Sequence, residues 1–180
     1  MNATDSRGNF VPLDNCYISA KISGKEYMIN MYILPDISDT KQSTYSDETG
    51  IGRSAPIKVF SHGDTRSIGW TAHFFSPTKD IAKENLKNLR ILESLVYPDS
   101  NSNTNSIVSP PPIARIRCGD LLSSDELCVV LKSYTVKFPT DVAWDDATYM
   151  PIKFDVDMTF EVVYQTMQLP NSSKILTFGG

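Results

Sequence analysis

The sequence predicts an α+β fold, an antiparallel β-sandwich or barrel with one helix packed on its flank. Three observations support this expectation. Six or seven segments alternate apolar and polar residues, as half-buried strands do. A single segment repeats apolar residues at the helical spacing of threes and fours. Tight-turn residues join the first two predicted strands directly, which is typical of antiparallel hairpins.

The first regular element is a predicted hairpin. Apolar and polar residues alternate over Cys16–Ile22, Ser23 and Gly24 supply a tight turn, and residues 27–34 form the return strand. The next segment, residues 35–56, is rich in Asp, Ser, Thr and Gly and almost lacks large aliphatic side chains. We therefore expect a long loop there, and loops of that length in compact domains are usually functional or serve as binding arms.

The middle of the chain carries two predicted strands and the single helix. Residues 57–60 form a short strand, residues 62–64 a turn, and residues 67–75 a half-buried strand. Ser76 as N-cap and Pro77 at the first helical position favour a helix start. The regular apolar spacing that follows predicts one buried helix face. That face comprises Ile81, Ala82, Leu86, Leu89, Leu92 and Val96, with Asn88 and the charged residues elsewhere and Pro98 as the stop.

Three further strands are predicted in the second half of the chain. A polar stretch at residues 99–106 indicates a mobile loop, and a strand follows at residues 114–118. Residues 128–138 and 152–164 form the other two strands, and the last of them alternates most regularly. We expect Val130, Tyr134, Val136 and Phe138 on one face of the former, and Asp155, Asp157 and Glu161 on the polar face of the latter.

The composition is that of one soluble domain over residues 1–180, with flexible ends at about residues 1–12 and 168–180. The chain has 41% hydrophobic and 21% charged residues and a formal net charge of −4. This mild acidity argues against a protein that binds nucleic acid tightly by neutralising phosphates, although nucleic acid could still slide past its surface.

We expect no membrane helix and no secretory signal. The three widely spaced cysteines, Cys16, Cys118 and Cys128, are expected to be buried free thiols in a reducing compartment.

Catalytic signatures are absent from the sequence. It has no nucleophile elbow, no phosphate-binding glycine loop and no zinc-protease motif, and the glycines at residues 50–52 follow no strand-to-helix pattern. The only histidines are His62 and His73, which could approach each other but have no third ligand at a suitable spacing. We therefore expect no enzyme activity, no cofactor and no metal.

Two features suit binding instead. The first is the 35–56 segment, which is either a disordered loop or an arm that spans to a neighbouring protomer, because its ordering would need a partner's surface. The second is the polar face of the last strand, which is either an ordinary solvated face or an acidic wall facing a channel. The arm residues are Tyr45, Asp47, Glu48, Ile51 and Arg53, and the acids of the possible wall are Asp155, Asp157 and Glu161.

Four strings stand out together: YSDETGIGRSAPIK at 45–58, RSIGW with HFF at 66–75, PPP with RIRCG at 110–119, and VVLKSY with PTDVAW at 129–144. In this order they resemble the tail-tube-fold proteins of contractile-tailed bacteriophages, and most closely the small baseplate proteins that initiate the tail tube on the hub. The resemblance covers roughly residues 17–164, and the order of the strings carries it rather than any single motif.

The resemblance implies two packed antiparallel sheets with a helix on the flank. It also implies a homo-hexameric ring whose inner sheets join into one continuous β-barrel, with a lumen that passes DNA without specific binding. The long arm would reach an adjacent protomer or ring. The implied partners are the neighbouring tail tube, the baseplate hub and the sheath initiator. The implied location is the virion, after assembly in the host cytoplasm. The chain has room for one such fold and no lytic domain, and the tube initiator, the main tube subunit and an adaptor all remain open.

One alternative of another class is a β-sandwich module that binds a carbohydrate or peptide for a tail or cell-surface apparatus. Its binding residues would be Trp144, Tyr149 and the acids between Asp141 and Asp146. Exposed aromatic rings beside carboxylates suit sugar stacking, and the same acids could hold calcium.

Overall fold

The computed structural model describes residues 11–52, 54–98, 110–122, 126–146 and 149–164. Arg53, the 99–106 stretch and most of the expected flexible ends lie outside these residues. The elements in order are β1 (Cys16–Ile22), β2 (Lys25–Asn30), β3 (Asp36–Thr40), β4 (Ser43–Glu48), β5 (Ile57–Gly63), β6 (Ser67–Phe75), α1 (Lys79–Ser94), β7 (Ala114–Cys118), β8 (Leu127–Lys137) and β9 (Lys153–Val162).

The strands form two separate sheets. Seven of them pair in the order β2-β1-β7-β8-β9-β6-β3, and β4 and β5 form a two-stranded sheet of their own. Every pairing between named strands in the described residues is antiparallel. The α+β class is therefore confirmed. The large sheet is not closed into a barrel, because its outermost strands β2 and β3 do not pair with each other.

The predicted first hairpin is confirmed. Strands β1 and β2 pair from Tyr17–Asn30 to Ile22–Lys25, and residues 23 and 24 form the turn. Ser23 and Gly24 both have positive φ, 48° and 82°. Positive φ at both central residues is the mark of a type I′ turn, whose twist matches that of the flanking strands. The return strand ends at Asn30, so it is shorter than expected.

The expected loop at residues 35–56 is wrong, because strands β3 and β4 lie within it. Strand β3 pairs with β6 at the edge of the large sheet, and only its Ile37 is partly buried, opposite Trp70. An edge strand with one neighbour can be polar on nearly every residue, so it lacks the apolar alternation used to predict strands. Strand β4 is exposed at every residue and lacks that alternation for the same reason.

The core lies between one face of the large sheet and α1. Strands β6 and β9 are adjacent and alternate buried and partly exposed residues along their length, as predicted. Phe74 and Phe154 stack across this pair with ring centroids 5.1 Å apart. The largest fully buried side chains include Trp70, Phe154, Phe160, Ile18, Ile29, Leu92, Leu95 and Ile116.

The helix begins later than predicted. Thr78 is the N-cap, and its side-chain oxygen accepts a hydrogen bond of 3.4 Å from the Ile81 N–H. Ser76 instead accepts a 2.9 Å hydrogen bond from the Asn85 amide, and both residues are buried. Asn88 is also buried, while Leu86 is 38% exposed, so the buried helix face is rotated away from Leu86. At 16 residues, α1 is not a membrane span, and no described helix is long and apolar enough to be one.

Strand β8 contains a bulge that the sequence does not reveal. The register with β9 shifts between Leu131 and Ser133, so Lys132 is an extra residue. Val129 and Leu131 are buried before the bulge, which puts Val130 on the opposite face. The prediction that Val130 shares a face with Tyr134 and Val136 is therefore wrong, because a bulge changes the parity of the alternation.

Two of the three predicted buried thiols are confirmed. Cys16 and Cys118 are 2% and 3% exposed, whereas Cys128 is exposed. Cys128 pairs with Arg115 and precedes the buried Val129, so it lies on the outer face of the sheet.

Candidate functional site

The hairpin arm, defined here as strands β4 and β5 with the residues between them, is the most exposed regular structure in the described residues. Every residue of both strands is exposed. The base of the arm is closed by the Asp64 N–H, which donates a 3.0 Å bond to the Gln42 carbonyl. Along its length an ion pair of 2.6 Å joins Lys58 to Asp47. The arm is therefore held together internally without being packed on the core.

Large apolar side chains lie on both faces of the hairpin arm. Tyr45 and Phe60 are directly paired, and their rings meet edge to face at 5.7 Å. They are 54% and 58% exposed. The opposite face carries Ile57 and Val59, which are also exposed, and Ile51 projects fully from the connecting segment. Isolated two-stranded hairpins are at best marginally stable in water, so such an arm gains most from a partner's surface.

Four of the five predicted arm residues lie on this hairpin. Tyr45, Asp47 and Glu48 are on β4, Ile51 is in the connection, and Arg53 falls outside the described residues. The sequence interpretation missed the contribution of β5, whose Phe60 and Val59 were assigned to a short strand without a partner. The run Ile-Lys-Val-Phe is a signal for that strand, but nothing in it tells which strand pairs with it.

The three predicted acids lie on one face of β9, opposite the core. Asp155, Asp157 and Glu161 alternate with buried residues and have about a third of each side chain exposed. The sheet face on which they lie, on the side away from α1, is called the outer face below. Both neighbours of β9, strands β6 and β8, contribute polar side chains to this face.

Each of these acids has a cross-strand partner. The His73 Nδ1 lies 2.6 Å from Asp155, the Thr71 hydroxyl donates a 2.8 Å bond to Asp157, and the bulged Lys132 contacts Glu161. Asp157 also forms an ion pair with Lys137. The hydrogen bonds from Lys137 and Thr71 lower the pKa of Asp157. Two of the three acids, Asp157 and Glu161, are thus paired with lysines.

A second group of charged side chains connects the edge strand β3 to neighbouring parts of the chain. Asp39 accepts two hydrogen bonds from the Arg66 guanidinium, at 2.8 and 2.9 Å, and the same guanidinium donates a 3.0 Å bond to the Leu122 carbonyl. Lys41 lies 2.9 Å from the same carboxylate. These contacts, with Arg66 first, lower the pKa of Asp39. Asp36 at the other end of β3 lies 3.3 Å from His73.

The residues of the alternative binding site lie in one region. Trp144 is 45% exposed, and its ring centroid lies 6.4 Å from that of Phe138. Tyr149 is exposed, and its backbone N–H bonds the Asp145 carbonyl. Trp144 and Asp145 border a cavity of about 290 Å³ next to the start of α1. This region offers one exposed indole beside a carboxylate.

The two histidines do not come together. His62 is on β5, where it faces Asp64 at 3.3 Å, while His73 is on β6 between two carboxylates. Across the described ranges no three His, Cys, Asp or Glu side chains cluster as a metal site would require.

No model of a known protein family matches the chain, and a search of curated proteins finds no match either.

Proposed function

We propose that this protein is a structural subunit of a contractile phage tail, which assembles into a ring in the baseplate or tail tube and lines the channel through which DNA leaves. The observation that carries the proposal is the hairpin arm, which exposes five large apolar side chains on a structure that buries none of them in its own chain. A surface of this kind favours assembly rather than catalysis.

The open edges of the large sheet support the same proposal. Strands β2 and β3 lie at its two ends, and each has a hydrogen-bonded neighbour on one side only among the described residues. Two different edges on one subunit allow head-to-tail contacts, and such contacts close into a ring when the rotation between subunits permits. A ring of this kind would also remove the exposed edges that otherwise invite aggregation.

The outer face of the sheet is suited to lining a channel for DNA. Strong binding of duplex DNA requires unpaired Lys and Arg that replace counterions at phosphates. On this face Lys132 and Lys137 are instead engaged by Glu161 and Asp157. The part of this face around β8 and β9, where these lysines are paired, would be hydrated and would hold DNA weakly, as passage through a lumen requires.

Removal of the hairpin arm tests the proposal. Residues 43–63 can be replaced by a short glycine linker, because the Gln42 carbonyl and the Asp64 N–H are already bonded at 3.0 Å. This variant keeps β3, which ends at Thr40, whereas a deletion of residues 39–54 would remove its last two residues. We expect a folded chain that no longer forms rings, as judged by circular dichroism, sedimentation and negative-stain images.

Point variants test the apolar surface of the arm without shortening the chain. The double change Tyr45→Ser and Phe60→Ser removes the aromatic pair and is expected to abolish ring formation. The matched control is Tyr97→Ser, which removes an aromatic ring of similar exposure, 61%, beyond the end of α1. Rings that persist in both the double variant and the arm replacement would overturn the proposed role of the arm.

The exposed indole favours a second candidate, a carbohydrate- or peptide-binding module. The chain has two tryptophans, and Trp70 is only 1% exposed, so solvent-accessible tryptophan emission comes from Trp144. Saturable quenching or a spectral shift with a sugar or calcium, lost in Trp144→Phe, would support this candidate. An unchanged spectrum across a panel of sugars and calcium would remove it.

A further inference from the structure

Two buried cysteines lie opposite each other on adjacent strands of the large sheet. Cys16 on β1 and Cys118 on β7 are directly paired in the strand register, and their sulfur atoms are 3.3 Å apart. The residues are 102 positions apart in the chain. Both side chains belong to the hydrophobic core, with 2% and 3% exposure, and their thiols are free.

The backbone bonds identify the kind of pair that they form. The Cys16 carbonyl accepts a bond from the Met31 N–H, so it points towards β2 and away from Cys118. The Gly119 N–H bonds the Asn15 carbonyl, one position beyond the pair. Cys16 and Cys118 are therefore a non-hydrogen-bonded antiparallel pair, in which Cα atoms are typically about 4.5 Å apart and side chains are closest. That separation lies within the range that a disulfide spans.

We propose that Cys16 and Cys118 form a site for a cross-strand disulfide, which joins β1 to β7 when the chain folds, or opens locally, in the presence of a disulfide oxidant. The oxidant is a small-molecule disulfide such as oxidised glutathione. One cysteine thiolate attacks the glutathione disulfide and releases one glutathione thiolate. The second cysteine thiolate then attacks the mixed disulfide and releases the other. Two thiols are oxidised to one disulfide, one glutathione disulfide is reduced to two thiols, and protons pass from protein to glutathione.

Burial controls when the bond forms. Burial, together with the neighbouring Cys118, raises the pKa of the Cys16 thiol, so few thiolates are present in the folded chain at neutral pH. Exchange needs the thiolate and access to it, so oxidation is expected to be slow in the native state and fast during folding. Once formed, the bond would fix the first hairpin, and with it the free edge of β2, to the rest of the sheet.

The test uses the full chain with the single change Cys128→Ser. This change removes the exposed third thiol and leaves only the buried pair. The reduced protein is unfolded in denaturant and refolded in a glutathione buffer containing the oxidised form. Peptide mapping without reductant is expected to show one intramolecular link between the peptides containing Cys16 and Cys118. Because the bond closes a loop of about 100 residues, the thermal unfolding midpoint is expected to rise by an amount on the order of 10 °C over the reduced form.

A second variant serves as the matched control. Adding Cys118→Ala to the Cys128→Ser chain leaves one thiol, so oxidised and reduced preparations should then unfold at the same temperature. The proposal is overturned if both thiols of the Cys128→Ser chain still react after refolding in the oxidising buffer, or if the mapped links join separate chains. That result depends only on the Cys128→Ser chain, so it stands even if the control fails to fold.

Discussion

Individual charged side chains of the large sheet act as links between its strands. Asp39 binds Arg66 with two nitrogens, Glu161 contacts Lys132, and Asp157 is held by both Thr71 and Lys137. Arg66 immediately precedes β6, and the other contacts join residues of different strands, so these side chains help to hold β3, β6, β8 and β9 in register. These charges therefore have a structural role in addition to any role towards a ligand.

The Asp39 carboxylate is expected to make stability depend on pH in the acid range. Its pKa is lowered in the folded chain, chiefly by Arg66, so the stabilisation is complete above the unfolded-state pKa of about 4 and is lost as pH falls through the folded-state value. Because the Asp39–Arg66 pair is partly screened by solvent, Asp39→Asn should lower the free energy of unfolding at pH 7 by about 0.5–1.5 kcal/mol, and by less at pH 2.5. Urea titrations at both pH values measure this difference.

The control for Asp39→Asn is Asp141→Asn, which makes the same change in net charge in an exposed connection. If both variants lose the same stability at pH 7, the effect reports net charge and the pairing with Arg66 contributes nothing.

Two neighbouring apolar residues should respond very differently to truncation. Phe154 is completely buried and packs against both Phe74 and Phe138, so Phe154→Ala should cost about 3–5 kcal/mol of unfolding free energy. Ile152, which the sequence pattern assigns to the same apolar face, is 37% exposed. Ile152→Ala should therefore cost well under half as much in the same denaturation series, and equal losses would contradict this burial pattern.

At the scale of elements, the sequence predicts those that bury one face. Alternating residues identify β6 and β9, helical spacing identifies α1, and Ser23-Gly24 identifies the first turn. The elements that it misses, β3 and β4, bury almost nothing in this chain, so no apolar alternation marks them. Strand pairing and the bulge at Lys132 are set by contacts distant in sequence, which a local pattern does not contain.

The same limit applies to the candidate site. The arm residues and the acids were predicted because they stand out locally, as polar loop residues and as one face of a regular strand. Their partners Lys132, Lys137 and Phe60 were not predicted as such. A cross-strand neighbour depends on register, and register follows from the fold as a whole.

The free edge of β2 offers an element-scale prediction. Along a strand, successive backbone N–H groups point to alternate sides. The Met31 N–H bonds the Cys16 carbonyl, so the Ile29 N–H also points towards β1, and the Met28 N–H points to the open edge. Met28→Pro therefore removes one outward N–H without removing a bond of the β1–β2 ladder. We expect a folded chain that fails to form rings in sedimentation experiments.

Met28→Ala is the matched control for the edge, because it removes the side chain but keeps the N–H. It should still form rings. Assembly that is lost equally in both variants would show that the Met28 side chain matters and not the backbone edge.

At the scale of the whole molecule, the proposed ring multiplies the properties of one chain. Each chain carries a formal charge of −4, while the acids of its outer face are paired. In an assembled tail, Glu161→Lys would put a second cation beside Lys132 and create an attraction for phosphates. We expect slower DNA release, measured as the rate at which the fluorescence of a DNA-binding dye rises in solution.

The charge swap Glu161→Lys with Lys132→Glu is the control for that variant. It restores a neutral pair in the same place, so it should restore the rate of DNA release. Normal release from tails carrying Glu161→Lys alone would indicate that this face does not line the channel.

The most direct measurement of the central claim is the symmetry of the assembled protein. Negative-stain images of the purified chain, alone and with the tail and baseplate proteins beside which it is proposed to lie, would be classified without imposed symmetry. We expect six-fold rings with an axial channel, which are absent when residues 43–63 are replaced by a linker. A strict monomer that enters no ring, alone or in the assembled tail, would contradict it.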